Sequence, residues 1–275
     1  MYTHGHHESV LRSHRWRTAE NSAAYLLPYL RPGQSLLDLG CGPGTLTADL
    51  AQRVAPGRVT AVERGAEVLE LARAEVAARG RAAVGHRAAA DLPDSVDFVV
   101  SDVHALDFAD GTFDVVHAHQ VLQHVADPVR ALREMRRVCR PGGVVAVRDS
   151  DYAAFTWYPE VPALTEWLAL YRKTARANGG EPDAGRRLLS WARAAGFTDV
   201  TASAGAWCYA APGDSRWWGE LWAERIVRSD LARQILAAGT ADADDLRRLA
   251  DGWREWGAAP DAWLLVPHGE LICRP

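Results

Sequence analysis

The sequence predicts an α/β fold built on a doubly wound, mostly parallel sheet. Three observations carry this expectation. Short apolar runs alternate with amphipathic helical stretches from residue 35 to about residue 150. The first run meets a glycine-rich turn, Leu36-Leu37-Asp38-Leu39-Gly40-Cys41-Gly42-Pro43-Gly44, which opens into helical spacing at Thr45. Later runs close on an acid at the carboxyl end, where open parallel sheets meet their ligands.

A chain of 275 residues is long enough for one large α/β domain or one domain with an embedded cap. Hydrophobic residues make up 48% and the net charge is −4, as in ordinary soluble globular chains. That balance gives no support to nucleic-acid or membrane-surface binding, which depend on basic patches. No apolar run reaches the ~18 residues of a transmembrane helix. The start, MYTHGHHESV, lacks a basic-then-apolar signal, so a cytoplasmic location is expected. Cys41, Cys139, Cys208 and Cys273 show no CxxC spacing and suit reduced thiols. Lys173 is the only lysine, and 30 of the 31 basic residues are arginine, a bias expected of a GC-rich bacterial genome. Ten of the 11 tryptophans lie beyond residue 150, as core packing or as the aromatic wall of a small-molecule pocket.

In chain order, residues 1–12 carry His4, His6 and His7 and read as an arm, with no acid or Cys set to complete a metal site. Residues 13–30 read as one amphipathic helix stopped by Arg31-Pro32-Gly33. Strands follow at Ser35–Leu39, Arg58–Glu63, Val96–Val100, Phe113–Ala118 and Gly143–Arg148, and helices at 46–54, Ala66–Arg79 and Pro128–Cys139. Residues 80–95 form an Ala-rich span, loop or short helix. Beyond Asp151 the spacing predicts helices at Pro162–Asn178 and Gly185–Ala195 and a strand at Val200–Tyr209. Helical stretches follow at about 214–238 and 242–257, and then a terminal hairpin of Ala262–Val266 with Glu270–Cys273. Residues about 211–260 read as a helical cap inserted before the last strand.

The turn has the chemistry of a nucleotide-type site. Glycine lets backbone approach a ligand where a Cβ would collide, and the following helix presents free N–H groups. Its glycines are spaced GxGxG, and Thr45 occupies the third glycine position of a dinucleotide fingerprint. Asp38 would repel a pyrophosphate and suits a ligand with positive charge there. Glu63, 19 residues after Gly44, stands where a carboxylate grips a ribose diol. Asp102, after the third strand, can accept a hydrogen bond from an exocyclic amine such as adenine N6.

LLDLGCGPG, AVE, SDV, FDVVHAHQVLQHV and RPGGVVAVRDSD, in this order, resemble the class I S-adenosylmethionine-dependent methyltransferases, and within them the UbiE/COQ5-like small-molecule group. The resemblance covers roughly residues 20–150. It implies a Rossmann-like sheet of seven strands, the last antiparallel. Together with the patterns read on either side of it, the expected division is an arm and helix at 1–34 closing over the site, a cofactor-binding core at 35–150, and acceptor-side helices, cap and terminal strands at 151–275. By position it places Gly40 and Gly42 beside the methionine part, with Asp38 supporting the ammonium. Glu63 would hold the ribose hydroxyls, Asp102 and Val103 the adenine, and His119 the methionine moiety through its carbonyl. The implied cofactor is S-adenosyl-L-methionine, with S-adenosyl-L-homocysteine as product.

The implied reaction is methyl transfer to O, C or N of a small metabolite, aromatic or polyketide-like and of secondary metabolism. Alignment of acceptor, methyl and sulfur supplies most of the catalysis. A base is needed only where the acceptor must lose a proton. His14, His119, Asp149 and Asp151 are the candidates for such a role. Arg17 and Tyr25 are weaker candidates to reach the cofactor, while His117 and His124 read as structural. Trp217, Trp218 and Trp222 are candidates to line the acceptor site. Nothing is spaced as a metal site or as a Ser/His/Asp set. The alternatives are a cofactor-binding protein of this fold without methyl transfer, pericyclase-like or regulatory, or an NAD(P)-dependent oxidoreductase. A small-molecule partner is expected, with the chain monomeric or homodimeric.

Overall fold

The computed structural model describes Thr3 and residues 7–82 and 93–275. His4, His6 and residues 83–92 of the Ala-rich span lie outside these. The helix expected over 13–30 is broken into pieces by local side-chain chemistry. α1 (Glu8–Arg15) is capped by His7, whose ring accepts the Ser9 N–H. α2 (Ala19–Ser22) starts afresh because the Thr18 hydroxyl accepts the Asn21 N–H while the Asn21 side chain accepts the Thr18 N–H. A single tight turn, Leu27–Tyr29, completes the stretch.

Five parallel strands form the core: β1 (Leu36–Leu39), β2 (Val59–Glu63), β3 (Val96–Val100), β4 (Phe113–His119) and β5 (Cys139–Ser150), in the order β3-β2-β1-β4-β5. β1 and β4 are buried along their whole length, which is why they read as unbroken apolar runs. α3 (Thr45–Val54) and α4 (Ala66–Ala82) cover one face. α5 (Pro128–Val138) covers the other. Alternate strand residues divide between the two cores: Leu36, Ala61 and Val115 to one, Leu37, Val62 and Val116 to the other. β5 begins earlier than expected, because Cys139 already pairs with Phe113 and Arg140–Gly143 bulge out before Val144 meets Val115.

The second half adds the three-residue β6 (Thr156–Tyr158), α6 (Pro162–Ala177), α7 (Leu188–Ala194) and β7 (Asp199–Tyr209). α8 (Pro212–Arg228), α9 (Asp230–Ala237), α10 (Ala243–Ala258) and β8 (Trp263–Arg274) complete the chain. The expected 214–238 helix is two, split where Ser229 is extended (φ −84°, ψ 178°). The expected terminal hairpin is one continuous strand. Pro267-His268-Gly269 passes straight through because His268 is paired on both sides, opposite Ser150 of β5 and Gly205 of β7. Gly269 also lies so close to Gly185 that an added Cβ would fall 2.1 Å from its carbonyl oxygen. β8 is antiparallel to β5, β6 and β7, and among the described residues the sheet has eight strands rather than seven. The extra one, β6, is too short to show a period in sequence.

Tryptophans knit the helices of this half together. Trp167 meets Trp222 and Trp253 edge-on at 4.5 and 4.7 Å between ring centroids, and all three are fully buried. No helix among the described residues is long and apolar enough to cross a membrane.

Candidate functional site

A cavity of about 530 Å³ lies across the carboxyl ends of the five parallel strands, within the size range of small-molecule sites. Its floor comes from Asp38–Pro43 at the end of β1, Val62–Gly65 at the end of β2, Ser101–His104 after β3, and His119–Val121 with Gln123–Ala126 at the end of β4. Its far wall and roof come from β5, β7, α8 and the N-terminal arm, through Ser150, Trp207, Trp218, Trp222, Arg225 and His14.

The loop after β1 keeps three glycines at positive φ: Gly40 at 64°, Gly42 at 55° and Gly44 at 83°. They differ in surroundings. A Cβ on Gly40 would meet Val121 Cγ2 at 2.4 Å and one on Gly44 would meet the Ala72 backbone at 2.9 Å, whereas at Gly42 the nearest atom is His14 Nδ1 at 3.5 Å. Gly42 thus leaves room between loop and arm. Its N–H donates to Glu63 Oε1 at 3.0 Å, while Glu63 Oε2 accepts the Arg64 N–H at 3.0 Å. Glu63 therefore pins the turn after β2 to the glycine loop.

Asp38 is buried with both oxygens engaged. Oδ2 accepts from Thr47 Oγ1 at 2.6 Å and Oδ1 lies 2.9 Å from His117 Nδ1. The core histidine expected at 117 has this partner. Asp102 Oδ1 accepts the His104 N–H at 2.9 Å, and hydrogen bonding to His104 lowers the Asp102 carboxyl below the ordinary range. Val103 lines the cavity beside it.

The arm closes the roof through specific contacts. Arg12 pairs with Glu224, and Arg225 donates to Ser9 O and Ser13 Oγ, both at 2.8 Å. Thr45 Oγ1 donates to His14 O at 3.1 Å, and Trp207 Nε1 donates to Asn21 O at 2.7 Å. His14 and Arg17 line the cavity.

His119, the last residue of β4, lines the cavity and is 5% exposed, and neither of its ring nitrogens has a hydrogen-bond partner among the described residues. Burial, then Arg17 and Arg148, hold its pKa well below the ordinary histidine value. His124, expected to be structural, also borders the cavity, with its pKa lowered to about 3 chiefly by burial.

Asp149 and Asp151 do not line the cavity. Asp149 is fully buried beneath the Leu122–His124 turn, where Oδ1 accepts the Gln123 N–H at 3.0 Å and burial raises its pKa to about 7. Asp151 is gripped by Arg186 through Nε at 2.6 Å and Nη2 at 2.7 Å. Tyr25 packs into the core and does not reach the cavity, and Trp217 stays off its wall where Trp218 and Trp222 line it.

Sequence reading passed over a buried polar group beside the site. Arg148 Nε donates to Glu270 Oε1 at 3.0 Å, and Arg148 Nη2 lies 3.1 Å from His268 Nδ1. His268 Nε2 faces Gln120 Nε2 at 3.0 Å, and Gln120 Oε1 accepts from Arg17. The signal was an arginine inside the apolar run GVVAVR, since a charge in a buried strand requires a partner.

The chain is similar to known methyltransferases over nearly its whole length. A methyltransferase domain family matches residues 37–147. An uncharacterized methyltransferase of Schizosaccharomyces pombe is 33% identical over 98% of this chain and 95% of its own length. The probable methyltransferase ltbC of Aspergillus luteorubrus is 29% identical over 98% and 96%. The ubiquinone/menaquinone biosynthesis C-methyltransferase UbiE of Hahella chejuensis is 35% identical over 44% of each chain. Among solved structures, the YcgJ protein of Bacillus subtilis shares the fold, with a TM-score of 0.59 at 18% identity over 93% of this chain and 98% of its own. The cavity's chemistry fits S-adenosylmethionine: a glycine cradle with space at Gly42, and the carboxylates Asp38, Glu63 and Asp102 for a ligand with an ammonium, a diol and an amine but no phosphate. On the full-length likeness, the matched domain and this fit, the chain belongs to the class I S-adenosylmethionine-dependent methyltransferases.

Proposed function

We propose that the chain methylates a small-molecule metabolite at O, C or N in the cavity between the strand ends and the aromatic roof, within secondary metabolism. The observation that carries this is the two-part lining, with carboxylates and glycines on one side and tryptophans with arginines on the other. Residues 35–150 form the cofactor side of this reading, residues 151–275 the acceptor side, and residues 1–34 the part that closes over both.

Asp38 supports the ammonium through the face of its carboxylate left over from Thr47 and His117. Glu63 takes the ribose hydroxyls, and Asp102 with Val103 takes the adenine. Gly40 and Gly42 bring backbone beside the methionine part, as does the His119 carbonyl. The bound cofactor supplies a methyl group on a sulfonium. An acceptor's electron pair would take up that methyl, with S-adenosyl-L-homocysteine as the neutral leaving group. The protein's part is to hold the acceptor in line and exclude water. Where an acceptor must lose a proton, His14 and His119 are the candidates that line the cavity, His119 with its proton affinity depressed by burial.

The test is turnover with S-adenosylmethionine across a panel of hydroxylated, enolic and amine-bearing aromatic metabolites, read as S-adenosylhomocysteine formed and as the methylated product's mass. Cofactor binding without turnover on any of them would overturn the reading.

A further inference from the structure

The acceptor half of the cavity has a one-sided polar character. Among the described residues lining the cavity, the carboxylates are Asp38, Glu63 and Asp102, all at the ends of β1–β3. The opposite half carries Arg17 and Arg225 and no carboxylate. Asp149 and Asp151, the nearest acids in sequence, are turned away as described, and Glu224 is paired with Arg12 outside the lining.

The neutral polar side chains lining the cavity, Ser13, Gln123, Ser150 and Asn178 among them, can donate as well as accept. Trp218 lines the cavity with its indole N–H buried and without a hydrogen-bond partner. Behind the wall, His268 meets donors at both ring nitrogens, Gln120 Nε2 at 3.0 Å and Arg148 Nη2 at 3.1 Å. A neutral imidazole can accept at only one of them. His119 adds two buried ring nitrogens with no partner among the described residues, and with its proton affinity depressed by burial first and then by Arg17 and Arg148 it is a weak proton acceptor. An amine nucleophile would bring yet more donors, and when protonated it would be repelled by the arginines.

The rings around these groups are flat and close. Trp207 lies against His268 at 4.4 Å and carries Arg148 over its face at 4.9 Å, while Arg225 lies over Trp222 at 4.6 Å.

From these observations we infer that the methyl acceptor is a planar molecule that enters as an oxygen anion, a carboxylate or an ionised enol or phenol, held by Arg17 and Arg225. This rests on the reading of the cavity as the methyl-transfer site and deepens it. The anion brings its own electron pair, so no side chain must remove a proton. Attack of the anionic oxygen, or of the conjugated carbon, on the methyl breaks the carbon–sulfur bond and cancels the negative charge against the sulfonium. A carbon acceptor then returns one proton to water as it regains its double bond. Charge-cancelling transfer is favoured where water is excluded.

The test is calorimetry with saturating S-adenosylhomocysteine and two probes of one ring system, 1-naphthoate and 1-naphthylmethylammonium. The expected result is naphthoate binding at least about tenfold tighter. Arg17→Gln should remove the preference and Arg17→Lys should keep most of it, each variant being checked for an unchanged Tm. Equal binding, or preference for the ammonium, with S-adenosylhomocysteine bound, overturns the inference and leaves the methyltransferase reading standing. Failure of S-adenosylhomocysteine itself to bind would sink both.

Discussion

Asp38 on β1 and His117 on β4 are register partners whose side chains meet, Oδ1 to Nδ1 at 2.9 Å, in the middle of the buried sheet. With Thr47 Oγ1 on the other oxygen, one carboxylate joins β1, β4 and the first turns of α3. Its structural and ligand roles can be separated. Asp38→Ala strands two buried groups and should cost on the order of 3 kcal/mol. In Asp38→Asn, hydroxyl and imidazole can exchange donor and acceptor roles, so stability should stay within about 1 kcal/mol of wild type. Without the charge, S-adenosylmethionine should bind at least about tenfold more weakly by calorimetry. Unchanged affinity in Asp38→Asn would make the residue structural only.

Gly42 and Gly44 share the left-handed conformation and should fail in different ways. Gly44→Ala adds a Cβ 2.9 Å from the Ala72 backbone, where α3 and α4 touch and neither can retreat. Backbone strain plus overpacking should cost about 2–4 kcal/mol, a fall in Tm of about 5–10 °C. Gly42→Ala meets only His14 Nδ1 at ordinary contact distance, so about 1 kcal/mol of strain is expected. Its methyl fills the space beside the arm, and cofactor affinity should fall more than Tm. Thermal unfolding and calorimetry on both variants check the contrast.

Glu63→Ala removes the acceptor for the Gly42 and Arg64 N–H groups as well as the carboxylate proposed for the ribose. Loss of one charge-assisted contact of about 1.5–3 kcal/mol corresponds to about tenfold to hundredfold weaker binding of S-adenosylmethionine. Glu63→Gln keeps an acceptor for one N–H and should recover part of it. Affinity equal to wild type in both would remove Glu63 from the cofactor site.

Sequence was most informative where one local rule decides the outcome. The parallel strands are apolar because helices cover both faces, so LLDL and FDVVHA showed themselves directly. The glycine loop and the acids after β1–β3 were legible because their spacing is set within single βα units. What stayed hidden depends on long-range register. The pairs Arg148–Glu270 and Ser150–His268 are set by β8 lying antiparallel to β5, and no spacing within either strand encodes that pairing. Asp149 and Asp151 ended strand 5 as expected, but a turn after β4 buries one and Arg186 from the segment before α7 holds the other. The Pro267-His268-Gly269 triplet has turn composition and is straight because two neighbours pair with it. Trp217 and Trp218 are adjacent in sequence, and only the rotation of α8 decides that Trp218 lines the cavity.

The buried histidines also set how the protein responds to acid. His124 titrates at about 3 in the folded chain against 6.5 in the unfolded chain, because burial, with Arg17 nearby, disfavours its charge. His119 and His268 shift the same way. Between about pH 3 and 6.5 the unfolded state therefore holds protons that the folded state does not. The stability these neutral rings contribute is complete above pH 6.5 and declines as pH falls toward 3. Asp149, raised from 3.8 to about 7, acts in the opposite sense. Its contribution is complete below pH 3.8 and is lost as pH rises through about 7. Replacing His124 by Gln should therefore flatten the fall in unfolding free energy between pH 6.5 and 4 by about one proton's slope, and Asp149→Asn should steepen it by a similar amount. Urea unfolding at a series of pH values reads both slopes. A His124→Gln profile parallel to wild type would mean that this ring stays in contact with solvent and takes up its proton without opening the fold.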